Sequence, residues 1–178
     1  MTLKLGRREF ADDQTLMMAI VNRTPDSFFD KGATWAEDAA FERVEQVVDE
    51  GAEIVDIGGI KAAPGVEIDA AEEMRRVVGF VERVRGAFPD LVISVDTWRA
   101  EVGRAVCAAG ADLLNDAWGG ADPQLAEVAA EFDAAPARPG KDQQGAAGGA
   151  DRGLQDGGDL GRGELHRHLL EAPDRAQQ

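Results

Sequence analysis

Only one cysteine, Cys107, occurs in the 178 residues, and it lies in a stretch with helical spacing. A lone thiol builds no disulfide framework, so a reducing cytoplasm fits, and Cys107 reads as a small buried apolar residue. Cations are scarce as well. Lys and Arg number 19 against 34 Asp and Glu, for a formal net charge of -15. That argues against nucleic acid and against an anionic membrane as partners, since both call for clustered Lys and Arg. A small anionic ligand stays open, because a few backbone N–H groups or one arginine can make a local positive site. No apolar run reaches the roughly 18 residues of a membrane span, and no charged-then-apolar leader opens the chain. Residues 133–178 lack Val, Ile, Phe, Trp, Met and Cys altogether. Such a segment buries too little apolar area to offset the entropy of ordering it, so a disordered tail is expected. Both histidines, His166 and His168, lie there. Two positions apart, they would face different ways on a helix, and they are not read as metal ligands.

What is present upstream is ordinary for one globular core, with 44% hydrophobic residues overall. Leu3, Leu5 and Phe10 suggest a short hairpin or plug. Four apolar runs then read as buried strands: Leu16 to Val21, Glu53 to Ile57, Leu91 to Val95 and Asp112 to Leu114. Each is followed by a helical pattern. Thr34 with Glu37 makes a capping box for a helix to Glu50, with Ala40, Val44, Val47 and Val48 on its apolar face. Asp69 with Glu72 caps the second helix, whose face is Met74, Val77, Val78, Val81 and Val84. Val102, Ala105, Val106 and Ala109 mark the third, stopped at Gly110. Asp122 and Pro123 open a fourth, with Leu125, Val128, Ala129 and Phe132 turned inward. Four βα units in series mean a parallel sheet, either open and doubly wound or a (β/α) barrel.

In a parallel sheet, ligands bind at the carboxyl edge, where each strand hands over to a loop. Asp96 and Asn115 stand at two such places. Either side chain could instead cap the helix that follows. Asn22-Arg23-Thr24-Pro25-Asp26-Ser27-Phe28 follows the first strand. Its Asn can offer a carbonyl oxygen to a hard cation and its backbone N–H groups can hold phosphate oxygens, while a plain turn would use the same residue types. Gly58-Gly59 with Pro64-Gly65 is a second loop over that edge, explicable by loop closure.

Taken together, Asn22 to Phe28, Asp56-Ile57-Gly58-Gly59 with Pro64-Gly65, Ser94-Val95-Asp96-Thr97 and Asn115-Asp116 resemble the dihydropteroate synthase family in order and spacing, over residues 16 to about 132. The unusual second loop points to a divergent actinobacterial branch. The resemblance implies a (β/α)8 TIM-type barrel that joins p-aminobenzoate to 6-hydroxymethyl-7,8-dihydropterin diphosphate, releasing diphosphate. It implies that Asn22 helps hold Mg2+ and the diphosphate, and that Asp96 and Asn115 hydrogen-bond the pterin ring. It assigns no catalytic residue. Folate-binding domains of cobalamin-dependent methyltransferases look similar at the pterin pocket, but the Asn22 loop followed by Gly58-Gly59 fits the synthase better.

Two departures qualify the family pattern. The family's second loop reads Gly-Gly-Glu-Ser-Thr-Arg-Pro-Gly, whereas here it is Gly58-Gly59-Ile60-Lys61-Ala62-Ala63-Pro64-Gly65. Lys61 is the residue left to restore positive charge for the second substrate, without the guanidinium fork. A complete barrel also needs on the order of 250 residues, and this chain leaves the pattern after four units. The expectation is therefore an N-terminal half barrel over 1–132, a low-complexity tail over 133–178 arising from truncation or a reading-frame change, and little or no activity from the chain by itself. A non-catalytic pterin-binding pseudoenzyme or partner subunit is the alternative. Unpaired strand edges predict self-association into homo-oligomers.

Overall fold

The computed structural model describes residues 2–11, 13–23, 33–59, 68–117 and 120–137, with the side chains of 33–36 excepted. Outside them lie Lys61, the loop residues Thr24 to Phe28, Pro64-Gly65, both histidines and residues 138–178 of the expected tail.

The chain begins with an antiparallel hairpin, β1 (Thr2–Leu5) and β2 (Arg8–Ala11), in the register Leu3↔Phe10 and Leu5↔Arg8. Five strands then form one parallel sheet: β3 (Met18–Asn22), β4 (Ile54–Gly58), β5 (Val92–Asp96), β6 (Leu113–Asn115) and β7 (Ala135–Ala137). Their spatial order is their sequence order. Between them run α1 (Ala33–Asp49), α2 (Ala70–Ala87), α3 (Ala100–Ala109) and α4 (Gln124–Glu131). Neighbouring strands in simple succession are the winding of a barrel wall; a doubly wound sheet would reverse its order midway.

Alternation along the strands separates two apolar clusters. Ala19, Val21, Val55, Ile57, Ile93, Val95 and Leu114 face the helices and pack against Val44, Val77, Phe80, Val81, Val102, Val106, Leu125 and Val128. Phe80 is 1% exposed, a burial worth roughly 3 kcal/mol at most. Cys107 belongs to this cluster, and burial, reinforced by Asp112, pushes its thiol up to about 11. Ile54, Val92 and Leu113 point to the other face, where Leu5, Phe10 and Leu16 cover them. The hairpin thus plugs the amino end of the sheet's inner face, as its apolar residues suggested.

Arg85 closes that same end. Its guanidinium donates to the carbonyls of Pro89 and Leu91 at 2.8 Å each and to Gly110 at 2.8 and 3.1 Å, and it pairs with Asp112. Asp112 also accepts from the Ile93 N–H at 2.9 Å. Gly110 ends α3 in the left-handed region, at φ 114°, where only glycine sits without strain. Gly6 turns the hairpin at φ 55°, and a Cβ there would lie 2.1 Å from Asp112 Oδ1.

Three sequence-based expectations shift. Each of the four expected strands ends one residue later than its apolar run, at Asn22, Gly58, Asp96 and Asn115. Asp96 is not a helix cap: α3 starts at Ala100, and the Ala100 N–H is accepted by Asp122 Oδ2 at 2.9 Å. The sheet also continues past 132. Asp133, left-handed at φ 55°, turns the chain out of α4, and Ala135–Ala137 pairs in parallel with Leu113–Asn115. Pro136 suits an outer strand, since the bonds to β6 use its neighbours: Ala135 N–H to Asp112 O and Asp116 N–H to Ala137 O. The Thr34 capping box falls on side chains outside the described set. The Asp69 cap is present, accepting the Glu72 N–H at 2.8 Å, but Glu72 turns away to Arg75 and Arg76 and does not reach back to Asp69.

Candidate functional site

The strand pairing draws one row across the carboxyl edge: Asn22↔Gly58↔Asp96↔Asn115↔Ala137. All five share the inner face of the sheet, by the pleat's period of two. At about 4.8 Å per strand, Asp96 and Asn115 are immediate neighbours and Asn22 is two strands from Asp96. Gly58 fills the place between them without a side chain. The structure therefore brings Asn22, Asp96 and Asn115 to one rim. Asn22 is exposed there, Asp96 half-buried and Asn115 buried.

Beneath the rim lies a polar group that the motif reading quoted but did not single out. Asp56, 2% exposed, accepts from Ser94 Oγ at 2.5 Å and from Asn115 Nδ2 at 3.1 Å. Ser94 is itself fully buried, and the Asn115 carbonyl accepts from the Thr97 N–H at 3.2 Å. Its sequence signal was available. An aspartate within Ile54-Val55-Asp56-Ile57 interrupts a run buried on both faces, and a buried carboxylate needs partners.

Behind the rim, toward the helices, sit cations. Arg23 stacks over Phe80, 4.9 Å from the ring centroid, and lies 3.5 Å from Glu37. Burial lowers its pKa, partly offset by Glu37. Arg76 donates to the Gly59 carbonyl at 3.1 Å. Arg99 pairs with the fully buried Glu73, donates to the Ile68 carbonyl at 2.8 Å and stacks on Trp98 at 4.6 Å. These bonds hold Gly59 and Ile68, the described residues on either side of positions 60–67. A Cβ on Gly59 would lie 2.7 Å from Val77 Cγ1, so α2 packs directly on that backbone. The contacts of Arg23, Arg76, Glu73 and Arg99 were not legible in the sequence, because each runs across elements.

As a chemical surface the rim is rich in acceptors. Asp96 contributes a carboxylate, and Asn22 and Asn115 contribute amides. A flat ligand carrying several N–H groups along one edge matches that set. Asn22 Oδ1 is a hard oxygen donor suited to Mg2+. Among the described residues no three His, Cys, Asp or Glu side chains cluster as a metal cage. An ion at this rim would have one described protein oxygen, Asn22 Oδ1, and would need its other donors from a ligand's phosphates or from water. Lys61, expected near a second substrate, lies outside the described residues.

A family model described as pterin binding enzyme matches residues 18–137, from the start of β3 to the end of β7. The chain is 59% identical over 127 residues to a protein named inactive dihydropteroate synthase 2 in Mycobacterium bovis, covering 71% of this chain and 40% of that one. It is 40% identical over 134 residues to a dihydropteroate synthase of Streptococcus pyogenes, covering 74% and 50%. Among solved structures, the Xanthomonas albilineans dihydropteroate synthase with 4-aminobenzoic acid superposes with a TM-score of 0.68 at 37% identity, covering 76% of this chain and 50% of that one. The chain spans half or less of the length of these relatives.

Proposed function

From this chain's membership of the pterin-binding enzyme family, we propose that it is a dihydropteroate synthase homologue that binds a pterin at the Asn22–Asp96–Asn115 rim and has little or no synthase activity by itself. The observation that carries the reading is the register row, which gathers three separated motif residues on one face of one sheet edge. Asp96 and Asn115 are the pterin-binding pair. Their acceptors meet the ring N–H and amino groups of a pterin, in a pocket half-closed to water. Asn22 would hold Mg2+ through Oδ1, and the ion would neutralise charge on a departing diphosphate. Lys61 is the residue to test for the p-aminobenzoate end.

Two features support binding without turnover. Among the described residues, five parallel strands make about half a barrel wall, and the three rim residues all stand on that one wall. The Mycobacterium bovis relative is also named inactive. The second reading, a partner subunit that presents pterin to another protein, draws on the same features. β3 and β7, the outer strands among the described residues, would favour self-association. No helix among the described residues is long and apolar enough to cross a membrane, and a cytoplasmic setting is proposed with the folate reading.

Calorimetry of the full chain with 6-hydroxymethyl-7,8-dihydropterin diphosphate, with and without Mg2+, tests this, followed by turnover with p-aminobenzoate. Binding that Mg2+ strengthens, without product, is the expected result. Sustained product formation would make the chain a working synthase. Absence of binding by a folded chain would end the pterin reading.

A further inference from the structure

Asp56 is a carboxylate placed where packing would favour Val or Ile. Along β4 its neighbours Val55 and Ile57 are fully buried aliphatics, and Asp56 itself is 2% exposed. It lies one step below the rim, in the row Ile20↔Asp56↔Ser94. A buried polar group with its hydrogen bonds is on balance no more stabilising than well-packed apolar groups of the same shape, so stability alone does not account for the position. What it does have is a contact with a rim residue: Asn115 Nδ2 donates to its Oδ2 at 3.1 Å, across 59 residues of sequence.

That contact has a directional consequence. Both Asp56 oxygens act as acceptors here, Oδ1 from Ser94 Oγ and Oδ2 from Asn115 Nδ2. The Asn115 amide can therefore meet Asp56 in one of its two flips, with the NH2 inward. Its carbonyl oxygen and second N–H are then left together for a ligand. An amide free to flip would offer either order of acceptor and donor. One that is held offers a single order, complementary to a ring edge with an N–H beside a ring nitrogen. Ser94 Oγ occupies the other oxygen of Asp56 at 2.5 Å and keeps the carboxylate from turning.

We infer that Asp56 is a positioning residue, which holds the Asn115 side chain through the Nδ2–Oδ2 hydrogen bond and thereby selects amino-substituted nitrogen heteroaromatic rings at the rim. The ligand class rests on the pterin reading above; the held amide does not.

The experiment has two arms on the full 178-residue chain. In the first, solvent exchange of the Asn115 side-chain NH2 is followed by NMR, the signal being assigned by its loss in Asn115→Asp. Wild type should exchange at least tenfold more slowly than an exposed Asn amide, and Asp56→Leu should lose that protection. Exchange at the exposed rate in wild type overturns the inference, whatever the ligand. In the second arm, 6-hydroxymethylpterin binding is measured by calorimetry. Asp56→Leu should weaken it at least tenfold, and Ser94→Ala, which cuts only the other arm of the carboxylate, less than threefold. Equal losses in the two variants would make the network a general packing feature and overturn the inference. Should Asp56→Leu not fold, Asp56→Ala takes its place in both arms, since it removes the acceptor of the Asn115 Nδ2 hydrogen bond and adds no bulk. The same loss of amide protection and the same tenfold loss of binding are expected. A protected Asn115 amide and unchanged binding in Asp56→Ala count against Asp56. A wild type with a protected Asn115 amide and no pterin affinity would refute the pterin reading while leaving the positioning role intact.

Discussion

Asn22 crowds the place of a side chain on Gly58: its Oδ1 stands 3.1 Å from the position of a Cβ there, a contact that needs a shift of a few tenths of an ångström. The two are register partners on adjacent strands. Gly58→Ala should push the Asn22 amide off its place while costing about 1 kcal/mol of stability, because Asn22 is exposed and can move. The expected outcome is a smaller Mg2+ effect on diphosphate binding with pterin affinity retained. Calorimetry with the pterin diphosphate and with the pterin alone separates the two. An unchanged Mg2+ effect would remove Asn22 from the ion's coordination.

Arg85 ties four carbonyls, those of Phe88, Pro89, Leu91 and Gly110, and Asp112 at the end of the sheet opposite the rim. Arg85→Met keeps much of the apolar stem and removes the charge, leaving Asp112 and the carbonyls short of donors. A loss of about 3 kcal/mol is expected, seen as a lower urea midpoint. Pterin affinity should not change, since none of these groups reaches the rim.

One aspartate serves two helices. Asp122 Oδ2 accepts the Ala100 N–H at the start of α3, and Oδ1 accepts the Gln124 N–H at the start of α4. A helix cap is worth about 1 kcal/mol, so Asp122→Ala should cost roughly twice that. Asp122→Asn should cost less, since the amide oxygen can still serve one helix. Thermal melts of the two variants make the comparison.

Hydrogen bonds from Arg75, then Arg76, lower the Glu72 carboxyl from 4.5 to about 2. A depressed carboxyl contributes stability that is fully present above its unfolded value and is lost as pH falls through its folded one. The gap in urea midpoint between wild type and Glu72→Gln should therefore be widest above pH 4.5 and close as pH falls towards 2. The Glu72 side chain is partly exposed, at 29%, so the gap should also shrink in high salt. A gap that persists at pH 2 would point to packing and not charge.

Much of this architecture could be read from residue order. The apolar runs marked four of the five parallel strands, because a strand buried on both faces must be apolar almost throughout. The fifth escaped because Ala135-Pro136-Ala137 has no β-branched residue and carries a proline; only pairing with β6 and the left-handed turn at Asp133 make it a strand. Asn22, Asp96 and Asn115 were legible as polar residues closing apolar runs. Asp96 and Asn115 were equally legible as helix caps, and local sequence could not separate the two roles.

Local chemistry, then, was determined by the sequence itself: the four apolar parallel strands, where helices begin at Asp69 and stop at Gly110, and which polar groups stand at the strand ends. The tertiary structure decided the rest. It set the strand order, hence a barrel wall over a doubly wound sheet, and the register that aligns Asn22, Gly58, Asp96 and Asn115 in one row. It also decided that Asp56 meets Asn115 and that Asp122 caps the helix before its own. The reason is distance along the chain. Periodicity and capping act within a few residues, while a contact across 59 residues exists only once parallel strands have chosen their neighbours.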